Sequence, residues 1–204
     1  MVHALEVQDG QVAFALRGAP AWHGLARVTF GEDEHVDTAT MLSAALLDNW
    51  NVRLEAFSSF APEGYNFASE PYMVTRTNPF DQSTDVLSVV GERYTVVQNE
   101  DLFAFGDAIL DGGASWESAG SIKNGRKVFG SLVLPREIVL DPDGAADRTT
   151  TYLLVNTSHD GSTAVQASIT PVRVVCQNTL NIALRGVKQS YKIRHTQTVS
   201  GRVA

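Results

Sequence analysis

Arg173, Gln177, Asn181 and Arg185 recur at every fourth residue. On a helix over 171–185 that spacing stacks them along one polar stripe, with Asn178 beside it. Guanidinium and amide groups without acidic neighbours donate to anions and add no repulsion, which is the chemistry a phosphate backbone needs. A solvated helix face usually mixes acids with bases, and this segment holds no acid at all. Lys123, Arg126 and Lys127 surround Asn124-Gly125, and Lys188, Lys192 and Arg194 form a second basic run with Tyr191 and His195 interleaved. A basic turn can reach nucleic acid, although many such turns are merely kept soluble by charge. Aromatic and basic residues together are what a stacking platform for single strands requires.

Other constellations speak more weakly. Cys176, His159 and Asp160 could form a nucleophile and base, but Cys176 falls on the apolar side of its helix, where cysteine is ordinarily inert packing. His159-Asp160-Gly161 reads as a turn. No close histidine pair suggests a metal site, and no glycine-rich loop suggests a nucleotide cradle. No enzymatic activity and no cofactor are therefore expected. Trp22-His23-Gly24 is a compact oddity, read as a buried tryptophan beside a turn rather than as the lining of a site.

The elements that must position these residues give an α+β expectation. Residues 6–17 suggest a short strand. Asp37 or Thr38 caps a helix running to about residue 49, and 51–57 alternates as a strand does. Residues 72–77 and 86–90 suggest a hairpin, 94–97 a further short β run, and 100–110 a helix capped by Asn99. The clearest pattern spans 115–198. A strand over 115–121 turns at Asn124-Gly125, the strongest short hairpin signal, and returns over 128–134. After an acidic turn at 140–147, strands over 149–156 and 164–169 follow. Thr170 then caps a helix that starts at Pro171, and a β-rich tail runs over 188–198. The expected core is an antiparallel β-meander backed by helices: β-hairpin, β-hairpin, helix.

The bulk numbers set limits. The 204 residues, 44% apolar and 19% charged, have ordinary globular composition. A single α+β domain is expected. There is no run of about 18 apolar residues and therefore no membrane span. With Cys176 as the only cysteine, no internal disulfide can form, and a reducing cytoplasm fits best. The net charge of −7 is unevenly spread: residues 1–119 hold 18 acidic and 5 basic side chains, residues 120–204 hold 5 and 11. Such asymmetry between halves can mark an anion-binding face.

Several blocks resemble a phage/plasmid-like family, a domain of unknown function frequent in phages, plasmids and actinobacteria. They are Trp22-His23-Gly24-Leu25, Gly91-Glu92-Arg93-Tyr94 with Val97-Gln98-Asn99, Asn156-Thr157-Ser158-His159-Asp160-Gly161, the run from Thr170 to Leu180, and Arg194-His195-Thr196. Members of that family are commonly longer, which implies a missing C-terminal segment. The order of elements from Ser115 to Arg185 is also similar to that of ring-forming single-strand annealing proteins, where hairpin and helix cations line a groove for DNA. That resemblance implies single-stranded DNA binding and annealing by a homo-oligomer, a ring or filament, with Lys123, Arg126, Lys127, Arg173, Gln177, Asn181, Arg185, Lys188, Lys192 and Arg194 on the strand. The alternative is a mobile-element module that inhibits a host defence enzyme through the acidic N-terminal half.

Overall fold

The computed structural model describes residues 3–60, 62–64, 69–110, 115–134, 138–140, 147–185 and 190–195. It is α+β, as the alternation and capping signals imply. A first small hairpin pairs β1 (Val7–Gln8) with β2 (Gln11–Val12). The strand β3 (Phe14–Arg17) then runs parallel to β4 (Val28–Phe30). The helix α1 (Thr38–Ala44) is capped by Asp37, whose carboxylate accepts from the N–H of Thr40 at 2.8 Å. It ends well short of residue 49, because Leu46 and Asn49 take left-handed backbone. Next come β5 (Arg53–Ala56), β6 (Tyr72–Thr77) and β7 (Thr84–Val90), which form a three-stranded antiparallel sheet.

Residues 94–97 are not a strand. Their apolar side chains face the core from irregular backbone, and the N–H of Thr95 is taken by the carbonyl of His195 at 3.2 Å. The helix α2 (Asn99–Leu110) leads to the meander: β8 (Ser115–Ile122), β9 (Lys127–Val133), the short pair β10 (Ile138–Leu140) and β11 (Asp147–Thr149), then β12 (Tyr152–Ser158) and β13 (Val165–Thr170). The helix α3 (Gln177–Arg185) and β14 (Ser190–Ile193) close the described chain. The main sheet has seven strands in the order β14-β13-β12-β9-β8-β3-β4.

The expected start of the last helix at Pro171 is corrected. Thr170 is the last residue of β13, paired with Tyr152, and its hydroxyl accepts from the N–H of Val172 at 3.2 Å in a local turn that no helix follows directly. Residues 171–176 cross the sheet as irregular chain. The helix starts only where the hydroxyl of Thr179 turns back to accept from the N–H groups of Val175 and Cys176 at 2.9 and 3.0 Å, while the Cys176 carbonyl takes the Leu180 N–H.

Both faces of the large sheet are covered. On one, α1, α2 and the three-stranded sheet pack Met41, Trp50, Val74, Leu87 and Phe103 against Trp116, Leu132 and Val155. Gly106 and Gly130 let α2 sit close there, since a Cβ at either would strike Trp116, at 2.5 and 2.8 Å. On the other face, α3 lays Leu180 and Ala183 over Phe14, Phe129 and Leu154. Burying apolar side chains on both faces is what stabilises a three-layer arrangement of this kind. Among the described residues, no helix is long and apolar enough to cross a membrane.

Candidate functional site

The β8–β9 turn is the centre of the site. Lys123, Asn124 and Gly125 take successive left-handed conformations, with φ of 55°, 54° and 80°, which asparagine and glycine tolerate best. The side chains of Lys123, Asn124 and Arg126 stand exposed, whereas Gly125 is buried. Beneath Gly125 lies the guanidinium of Arg76, only 1% exposed. It rests 4.1 Å above the Trp50 ring, pairs with Glu6 and meets Oδ2 of Asp85 at 2.9 Å. The Ser121 hydroxyl donates to the same Glu6 carboxylate at 2.5 Å. A Cβ on Gly125 would come within 2.3 Å of Arg76 Nη1. The turn is also held from its sides. Lys123 N–H donates to Ala4 at 3.0 Å, and the Arg126 carbonyl accepts from His159 N–H at 2.8 Å.

His159 is therefore part of the interior. Its Nε2 meets Asn99 Oδ1 at 3.1 Å, its ring lies 5.7 Å from that of Trp50, and its Nδ1 has no hydrogen-bond partner among the described residues. Burial, then His195 and Arg76, hold its pKa down to about 3, so it is neutral at pH 7. Lys127 is half-buried, donates to Thr163 Oγ1 at 3.0 Å, and is shifted below the usual lysine value by burial and by Lys123.

Residues 3 and 4 join this turn to α3. As Ala4 accepts from Lys123, the His3 carbonyl accepts from Gln177 N–H at 3.1 Å. The outer face of α3 then presents Asn178, Asn181 and Arg185, all exposed, with Gln177 bonded to Asn181 at 2.8 Å. Trp22 is 65% exposed, against the sequence expectation of a buried tryptophan. It sits edge-on to His23 at 5.2 Å. His23 accepts from Leu25 N–H on Nδ1, so its Nε2 carries the proton and donates to Val175 O at 3.1 Å, just before α3. An exposed indole thus stands at the start of the acid-free helix face. The core positions for tryptophan are filled by Trp50 and Trp116, both fully buried.

The structure does not place all the expected cations together. Arg173 lies outside α3 and off its stripe. Its Nε binds Glu117 Oε1 at 2.5 Å, and its other nitrogens donate to the carbonyls of Arg17 and Ala19. Glu117 is buried at a register shift in β8 and also meets Arg17 at 3.3 Å. Lys192 on β14 and Arg194 just after it are exposed, and β14 lies three strands from β9, about 15 Å away at ordinary strand spacing. Arg194 shares a cleft of about 840 Å³ with Arg93, Tyr94, Asp160 and His195. Tyr94 stacks on His195 there at 4.9 Å. Lys188 lies outside the described residues, as do most of the expected acidic turn and the last residues of the chain.

The fold is thus α+β, with a mostly antiparallel seven-stranded sheet that carries the β8–β9 hairpin. Residues 86–204 match the model of the family described as Domain of unknown function (DUF932), and the chain belongs to that family. No curated protein and no solved structure matches it.

Proposed function

We propose that the protein binds single-stranded DNA on the surface formed by the β8–β9 turn, residues 3–4, the outer face of α3 and Trp22. The observation that carries this reading is the exposure of Lys123 and Arg126 beside an acid-free helix face and an unburied tryptophan. Cations and amides suit the phosphates, and an exposed indole offers a base a stacking partner that duplex DNA cannot use. Lys123, Arg126, Gln177, Asn181 and Arg185 would contact the strand, whereas Arg173 serves the fold. Annealing a long strand would require the surface to repeat, in a ring or filament. The large sheet has Lys192 and Arg194 on its β14 edge, while exposed Glu32, Asp33 and Glu34 follow β4 at the opposite edge. Opposite charge on opposite edges suits head-to-tail association of copies.

Anisotropy of a labelled oligonucleotide at low salt tests the reading, together with the intrinsic fluorescence of Trp22. Binding should weaken steeply as salt rises and should quench the exposed indole. No binding at low salt ends this reading, and light scattering that finds only monomer ends the annealing part of it. A second reading is favoured by the same exposed acidic loop, which could occupy a basic cleft of a host defence enzyme. Charge reversal at Glu32, Asp33 and Glu34 should then abolish the complex with that partner and leave oligonucleotide binding unchanged.

A further inference from the structure

On the side of the turn that faces the three-stranded sheet, the structure holds a pocket of about 330 Å³ between β1 and β7. Val7 and Val86 give it apolar lining, and both are exposed, at 44% and 55%. Its polar lining comes from Gln8, Asn78 and Asp85, with Arg126 of the turn at its edge. The polar groups are fixed in place. Asn78 Nδ2 donates to Gln8 Oε1 at 3.0 Å, Asn78 Oδ1 accepts from Phe80 N–H at 2.8 Å, and Gln8 Nε2 donates to Asp81 at 2.8 Å. Asp85 receives Arg76 Nε and Nη2 on the same oxygen, Oδ2, so Oδ1 has no partner among the described residues. A small slot lined mostly by polar groups, Glu6 and Asn124 among them, with two valines, a preset carboxylate acceptor and a cation, matches the parts of a planar heteroaromatic ring attached to a phosphate.

We propose that this pocket takes one base of the bound strand and prefers a base with an amino group on its pairing edge over thymine. The inference rests on the single-strand reading above. Cytosine offers its N4 amino group and adenine its N6, and either can donate to Asp85 Oδ1, as carboxylates do when they read cytosine. Thymine presents a carbonyl at that position, and its one pairing-edge donor, N3–H, is set between two carbonyl oxygens that would oppose the carboxylate. Val7 and Val86 exclude water from the ring, and Arg126 meets the adjoining phosphate.

The test compares labelled oligonucleotides of equal length, all-thymine and all-cytosine, by anisotropy at low salt. Wild type should bind the cytosine strand about tenfold more tightly, the discrimination of one good base contact. Val86→Phe, a substitution at an exposed position, fills the slot. It should bring the cytosine strand down to the affinity of the thymine strand and leave the latter's affinity and salt dependence unchanged. Val7→Phe is the second plug, used if circular dichroism shows the first to be misfolded. Equal wild-type affinity for the two strands would overturn the pocket while leaving strand binding intact. A preference that survives both plugs would also overturn it. Failure of both oligonucleotides to bind would overturn the strand-binding reading, and the pocket with it.

Discussion

Arg76 and Arg126 stand on either side of Gly125 and lead opposite lives. Arg76 is sealed between an indole, two carboxylates and the turn's own backbone. Arg126 projects outward and has no ion-pair partner among the described residues. Arg173 sides with Arg76, because Glu117 and two carbonyls consume its donors. A cation's type and spacing say that it can hold an anion. Whether the anion is the protein's own depends on what the fold brings to it, and Glu117 comes from 56 residues away.

The comparison predicts a graded set of effects. Arg76→Ala should be the most damaging, at roughly 4 kcal/mol, because it strands Glu6 and Asp85 without their shared cation. Urea denaturation measures this, and a loss below about 1 kcal/mol would show that the interior pair is dispensable.

Acid tests the interior from another side. His159 takes up a proton only near pH 3 in the folded chain, but near 6.5 once unfolded. Between those values the unfolded chain holds more protons. Stability is therefore full above about pH 6.5 and falls by about 1.4 kcal/mol per unit as the pH drops through that window. His195, also shifted down by burial, adds in the same direction. Urea midpoints between pH 7 and pH 4 should fall accordingly, and His159→Gln should start less stable but show a shallower fall.

Arg173→Ala should cost about 2 kcal/mol, less than Arg76 because Arg17 remains beside Glu117. It should leave oligonucleotide affinity per folded molecule unchanged. A variant that kept its stability but lost binding would return Arg173 to the site. The smallest effect on stability, within about 0.5 kcal/mol, belongs to Lys123→Glu with Arg126→Glu. The same double variant should strongly weaken oligonucleotide binding at low salt and reduce the salt slope by about one to two.

Much of this frame was legible from residues alone. Asn124-Gly125 between two strand-like runs marks the central hairpin, and the hairpins β6–β7 and β12–β13 are equally plain as apolar and β-branched runs bounded by turn residues. What escaped the sequence depends on distant partners. Pro171 after Thr170 looks like a helix start, yet the chain stays irregular through Cys176 and the helix opens at Gln177, six residues after Pro171, with Thr179 bonding back to the N–H groups before it. The parallel pairing of β3 with β4 leaves no periodic trace in so short a strand. Trp22 reads as a core residue on its chemistry, yet it stands 65% exposed, a placement its local sequence does not reveal. Arg76 offered the one missed hint, a lone cation between buried strand positions Val74, Thr75 and Asn78.

The seat of Gly125 on Arg76 has a kinetic side. Exposed turns ordinarily fray, and a ligand that meets one must first freeze it. Here the backbone is anchored by Ala4, His159 and the buried guanidinium, so its ordering entropy is already spent in folding. Lys123 N–H and His159 N–H should exchange with solvent deuterium as slowly as the strands beside them, and a ligand arriving at this turn would find its shape set beforehand.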